Sequence, residues 1–182
     1  LYELLVQVFE IGLFHGDPHA GNLILLEDGT VGLFDWGLAG ELTESDRKII
    51  AELLRSVLAR DIDRLGRALA AMATKGHVKV SPEKVIKGLT GLKQRLQDQK
   101  ARKSLSLQQV LNQCFKAADK LGIEVPEGLF MMAKSLVTIE GLSRGLDPEV
   151  SLKKVAAPFL LKAARPGLKD IWNAGRAWIL KV

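Results

Sequence analysis

The segment Leu23–Phe34 has little conformational choice. Leu23 to Leu26 is a short apolar run, Asp28-Gly29 is a favoured two-residue turn, and Val31 to Phe34 is a second run. Together they spell a β-hairpin. Asn22 stands at one end of it and Asp35 at the other, and Asp17 lies five residues before Asn22 and eighteen before Asp35. A hairpin of that length folds the chain back, so Asp35 returns to the neighbourhood of Asn22 and Asp17. Two carboxylates and an amide oxygen then converge, and such carboxylates repel unless a cation sits between them. Oxygen-only ligands suit a hard ion such as magnesium. Taken singly, Asp17 or Asp35 reads as a solvated turn or a helix cap. Three residues at two fixed spacings around a hairpin point to metal and phosphate. Zinc does not fit: Cys114, the one cysteine, is far from His15 and His19 in sequence, and no further histidine pair has ligand spacing.

With 182 residues, the chain is long enough for one sizeable domain with its own core. At 47% hydrophobic and 26% charged it has an ordinary globular composition. One cysteine excludes an internal disulfide framework and suits a reducing compartment. The net charge of +5 permits contact with anionic surfaces. No basic stripe interleaved with aromatics suggests a nucleic-acid partner. No apolar run reaches the length of a membrane span.

Most of the chain carries helical periodicity. Leu1, Leu4, Leu5, Val8 and Phe9 form one face of a helix that ends near Gly12. Leu38-Ala39-Gly40-Glu41 reads as a short link. Thr43 with Asp46 resembles a capping box for a helix over 44–60, whose stripe is Ile49, Ile50, Leu53, Leu54, Val57 and Leu58. Asp61 caps a helix over 62–74 that buries Ile62, Leu65, Leu69 and Met72, and Lys75-Gly76 ends it. Ser81-Pro82-Glu83 starts a helix to about 98, followed by a polar, basic loop to Ser104. Ser106 opens a helix to Leu121, closed by Gly122. Pro126-Glu127 opens a helix over 127–144, apolar almost all round and so expected to be central. From Leu152 the chain is basic and is interrupted by Pro158 and Pro166. A helix from 167 places Leu168, Ile171, Trp172, Trp178 and Ile179 in one sector, which fits a membrane interface or a helix packed on the lobe. The expected division is 1–150, with the helical subdomain over 43–145, and a basic amphipathic segment over 151–182.

His15-Gly16-Asp17 with Asn22 resembles the kinase catalytic loop H-R-D-x-x-x-x-N, and Asp35-Trp36-Gly37 resembles D-F-G. The resemblance implies that Asp35 holds the magnesium bridging the nucleotide phosphates and that Asn22 binds a second. It also implies that Asp17 orients or deprotonates the attacking hydroxyl, and that His15 buttresses the loop. His19 stands two after Asp17, where protein kinases often have lysine, and is expected near the transferred phosphate. Gly16 and Gly21 let the backbone turn tightly there.

His15-Gly16-Asp17-Pro18-His19-Ala20-Gly21-Asn22 is similar to the His-Ala-Asp-Pro-His-Pro-Gly-Asn loop of the UbiB (ADCK) family of atypical kinases. Gly replaces Ala at 16, Ala replaces Pro at 20, and Trp36 stands where that family usually has Phe. Aminoglycoside and choline phosphotransferases resemble the same loop and have Asp-Trp. Downstream, Leu42–Arg47, Ala59–Asp63, Met132–Leu142 and Leu146–Glu149 resemble the UbiB helical lobe. The implied fold is mainly α with a small β-hairpin, a protein-kinase-like C-lobe lacking the N-lobe. The sequence begins at leucine within an apparent helix and has no glycine-rich loop, no strand lysine with its glutamate, and no Lys-x-Gly-Gln motif. The expected partner is therefore an N-lobe of the same chain, with weak turnover by residues 1–182 alone. The resemblance further implies ATP and Mg²⁺ as cofactors, ATPase or phosphotransfer activity, and a role with ubiquinone or another prenyl lipid. Expected partners are nucleotide and membrane lipid or a prenyl-quinone precursor. The expected location is cytoplasmic or organellar with peripheral membrane association. A small-molecule phosphotransferase and a non-catalytic pseudokinase scaffold remain the alternatives.

Overall fold

The computed structural model describes residues 1–75, 80–98 and 105–163. Helix α1 (Tyr2–Val6) runs into a π-helical turn, Gln7–Ile11. That turn closes where the Gly12 N–H bonds the Gln7 carbonyl at 2.7 Å, and Gly12 leaves it at φ 86°. The left-handed φ explains the glycine. Leu4, Leu5 and Val8 are buried and Leu1 and Phe9 half-buried, as the periodicity predicts.

Two short antiparallel pairs follow. Strand β1 (Leu13–His15) pairs with β4 (Ala39–Glu41), and β2 (Leu23–Leu25) pairs with β3 (Val31–Leu33) in the register Leu23↔Leu33. The second pair is the expected hairpin. The first is a correction, since the spacing predicts one hairpin and makes Leu38–Glu41 a link. Strands of three residues carry too little alternation to be read. Gly40 marks the pairing all the same: Phe14 is fully buried across it, and a Cβ at Gly40 would overlap the phenyl ring.

The hairpin turn also differs from expectation. Leu26 donates to the Thr30 carbonyl at 2.8 Å, which leaves three residues in the loop. The Gly29 N–H bonds Leu26 O at 3.0 Å, and Gly29 itself takes the left-handed position at φ 84°. A three-residue loop with glycine last is the next favoured solution after the two-residue turn. Asp28 Oδ1 accepts from the Thr30 N–H at 2.9 Å, and this bond holds the Asp28 carboxyl below its usual range.

Helix α2 (Glu44–Ala59) begins with the expected Thr43–Asp46 capping box. Asp61 Oδ1 accepts from the Arg64 N–H and opens α3 (Ile62–Lys75), in which Ile62, Leu65, Leu69 and Met72 are buried. The single helix expected to 98 is instead two, α4 (Pro82–Gly88) and α5 (Thr90–Gln97), broken at Leu89. Thr90 Oγ1 donates to the Lys87 carbonyl at 2.6 Å, a side-chain bond that competes with the helical ladder. Pro82 takes the first helical position, as predicted, but Ser81 makes no side-chain cap. Helix α6 (Leu107–Lys120) opens with a Ser106–Gln109 capping box and closes before Gly122 at φ 64°. Helix α7 (Glu127–Leu146) runs two residues past its expected end.

Helix α8 (Leu152–Ala163) passes through Pro158, where an interruption was expected. Pro158 is exposed, so water can serve the carbonyl left without a partner, while Ala156, Phe159 and Leu160 are buried on the other side. Phe159 packs on Tyr2 and Phe9 with ring centroids at 5.3 and 6.1 Å. Arg55 of α2 donates to the Leu160 carbonyl at 2.6 Å. Residues 152–163 therefore lie against α1 and α2. The expected helix from 167, most of the loop to Ser104, and Gly76 lie outside the described residues. Among the described residues, no helix is long and apolar enough to cross a membrane.

Candidate nucleotide and metal site

The site is built by fixing one loop to the end of one hairpin. His15 ends β1 and is 1% exposed. Its backbone N–H donates to Gln7 Oε1 at 3.0 Å. Its ring nitrogens face opposite kinds of group. Nδ1 lies 3.1 Å from the Asp17 N–H, which can only donate, and Nε2 lies 2.7 Å from the Phe34 carbonyl, which can only accept. These partners select the neutral tautomer with its proton on Nε2. Both nitrogens are engaged, so His15 ties the loop at Asp17 to the residue preceding Asp35. The Trp36 ring covers it at 5.0 Å, so tryptophan in place of phenylalanine still has a packing partner.

Asn22 completes the tie. Its backbone carbonyl accepts from the Phe34 N–H at 2.9 Å, so Phe34 is held on both sides, by Asn22 and by His15. Its side-chain Nδ2 donates to the Asp17 carbonyl at 3.1 Å, which turns Oδ1 into the atom available to a cation. The same Asp17 carbonyl accepts from the His19 N–H at 2.8 Å. Asp35 follows directly after Phe34. It is exposed and sits at φ 50°, a left-handed conformation that aspartate tolerates better than most residues, and its Oδ1 accepts from the Gly37 N–H at 3.3 Å.

His19 caps the 3₁₀ turn Ala20–Asn22, with Nδ1 accepting from the Gly21 N–H at 3.0 Å. That leaves Nε2 as its one ring nitrogen able to face a nucleotide. Neither Gly16 nor Gly21 adopts left-handed backbone. Their need is for space. A Cβ on Gly16 would overlap Met131 Sδ and come within 2.9 Å of the Leu38 carbonyl, and one on Gly21 would come within 2.9 Å of the His19 ring.

The donor set fits magnesium. Among the described residues, no three His, Cys, Asp or Glu side chains group closely enough to hold a metal by themselves. Magnesium commonly binds through one or two carboxylates, with waters and substrate phosphates completing its shell. One carboxylate at Asp35 and one amide oxygen at Asn22 match that pattern, and both are hard donors.

Three supports of the site escape sequence reasoning. Gln7 is polar on the apolar face of the first helix, three residues from Leu4, and that misfit is the signal. Lys134 is the one charged residue between Gly128 and Val137, and its Nζ lies 3.2 Å from Asp17 Oδ1. Met131, one turn earlier on α7, fills the space at Gly16.

The same segments are the ones found by comparison with known proteins. The ABC1 atypical kinase-like domain matches residues 2–69, and the UbiB helical domain matches residues 98–151. No solved structure matches the chain. Residues 15–22 and 35–37 fall within the first match and the helix carrying Met131 and Lys134 within the second, and this chain belongs to the UbiB/ADCK family of atypical kinases.

Proposed function

We propose that this chain forms the catalytic-loop lobe of a magnesium-dependent ATPase or phosphotransferase. The observation that carries the proposal is the double anchoring of Phe34, by Asn22 and by the buried His15, which fixes Asp35 beside the loop that holds Asp17. On this proposal Asp35 and Asn22 would hold the magnesium, which when bound neutralises charge on the nucleotide phosphates. Asp17 accepts the proton of the attacking hydroxyl or water. His15 positions Asp17 and Asp35 and takes no proton, because both ring nitrogens are occupied. His19 faces the nucleotide only through Nε2. Family membership supports a substrate connected with ubiquinone or another prenyl lipid, handled at a membrane surface by a peripherally bound protein. The remainder of the phosphate cradle is assigned to an N-lobe of the same protein.

The test is magnesium-dependent ATP hydrolysis by the full-length protein, with and without vesicles containing anionic lipid and quinone precursors, beside an Asp35→Asn variant of unchanged fold. Lipid-stimulated turnover that disappears in the variant supports the proposal. Turnover equal in both proteins removes Asp35 from the metal site. Absence of turnover in both leaves a scaffold as the correct description.

A further inference from the structure

We infer that Lys134, on the helical subdomain, supplies the cation that meets the γ-phosphate beside Asp17. The inference rests on the proposed phosphotransfer site and adds to it a residue from the other matched domain.

Four observations lead there. First, Lys134 Nζ lies 3.2 Å from Asp17 Oδ1, and the pair joins α7 to the loop across more than a hundred residues of chain. Second, the approach is held in register. Gly128, Met131 and Lys134 follow each other at intervals of three on α7, and each faces the β4–loop region. A Cβ on Gly128 would come within 3.1 Å of the Glu41 carbonyl, Met131 packs on Gly16, and Lys134 reaches Asp17. Third, Asp17 is immobilised from behind: its N–H is on His15, and its carbonyl accepts from His19 and Asn22. Fourth, the position two residues beyond Asp17 holds a histidine whose Nδ1 caps the next turn, so the loop contributes no lysine of its own.

An ordinary surface ion pair of this exposure contributes little to stability, since both side chains keep much of their water. The position matters for chemistry instead. An ammonium has three N–H donors, and the bond to Asp17 Oδ1 uses one. Two remain for phosphate oxygens, while Asp17 Oδ2 stays available to the acceptor. In the transfer step the acceptor oxygen bonds to the γ-phosphorus. The bridging P–O bond to the β-phosphate breaks with its electron pair going to ADP, and the acceptor proton passes to Asp17. Negative charge on the transferring group lies within reach of Lys134, where a fixed positive charge acts most strongly.

The test separates this role from a structural one by comparing two nucleotides that differ only at the third phosphate. In the full-length protein, with magnesium, a non-hydrolysable ATP analogue and ADP are titrated by calorimetry against the unsubstituted protein, Lys134→Met, Lys134→Arg and Asp35→Asn. Lys134→Met is expected to weaken the ATP analogue about tenfold, the effect of one charge-assisted hydrogen bond, with ADP affinity and melting temperature unchanged. Lys134→Arg is expected to restore most of the discrimination. If Lys134→Met weakens both nucleotides equally, or neither, the γ-phosphate role is overturned. That outcome is distinct from failure of the site itself, in which Asp35→Asn binds both nucleotides as well as the unsubstituted protein does. In that case the metal reading and the Lys134 role fall together.

Discussion

Gly16→Ala should destabilise this chain, although the UbiB loop that residues 15–22 resemble has alanine at that position. The new methyl would overlap Met131 Sδ and sit 2.9 Å from both Met131 Cγ and the Leu38 carbonyl. Carbon contacts are relaxed at about 3.5–4.0 Å, so the neighbours must retreat by roughly half an ångström or more. The thioether can swing away. The Leu38 carbonyl cannot do so freely, because it accepts from the Gly16 N–H at 2.7 Å. Overpacking of this kind costs about 1–3 kcal/mol. At about 2 kcal/mol a chain of this size loses about 4–8 °C in melting temperature. Met131→Ala removes two of the three clashing atoms, so the double variant should recover about 1 kcal/mol relative to the sum of the single changes. The assay is a double-mutant cycle by thermal or urea unfolding. Additivity within about 0.5 kcal/mol would refute the contact between α7 and the loop. An unchanged melting temperature for Gly16→Ala alone would refute the steric reason for the glycine.

Two further outcomes follow from titratable groups. Burial pushes the Cys114 thiol up to about 12 from its ordinary value of 9.0, so the folded state holds its proton where the unfolded state releases it. Stability should therefore fall as pH rises from about 9 towards 12, and Cys114→Ala should flatten that alkaline slope; the native thiol should also resist alkylation at pH 8 and react once unfolded. Glu52 bonds Arg64 and also accepts from Arg55 at 2.8 Å, and the Arg64 bond is the main reason its carboxyl is held below the usual range. Its contribution is present above pH 4.5 and is lost as pH falls through the lowered value, so Glu52→Gln should cost about 1 kcal/mol at neutral pH, a figure kept small by solvent screening, and should reduce the acid slope in urea unfolding.

What the sequence made legible was whatever lies close together in the chain. The Thr43–Asp46 and Ser106–Gln109 boxes, the glycine stop at 122 and the stripe through Ile62, Leu65, Leu69 and Met72 each span only a few residues. The hairpin that returns Asp35 to Asn22 is equally local. The pairing of β1 with β4 is hidden because it joins residues 28 apart, Leu13 with Glu41. Periodicity cannot show which distant segment a three-residue strand selects. The break at Leu89 is hidden for a related reason: the period of its neighbours is helical, and the break depends on where Thr90 sends its hydroxyl. Lys134 reads as part of an apolar helix because nothing within a few residues explains its charge. The explanation is Asp17, on another element.

The two matched segments meet at this pair. Residues 2–69 carry His15, Asp17, Asn22 and Asp35, and residues 98–151 carry Met131 and Lys134. The second set reaches the first through one helix at a three-residue interval. Helix α7 also holds Leu129, Met132, Ala133, Leu136 and Ile139 in the core. A rotation of α7 large enough to withdraw Lys134 from Asp17 would therefore have to repack those five side chains, and close-packed cores resist continuous deformation. The helix backbone that carries Lys134 is thus held at a fixed place beside the Asp17 loop. A substitution deep in the helical subdomain, such as Leu136→Ala, should then alter the site through the pose of α7 while leaving every loop residue in place.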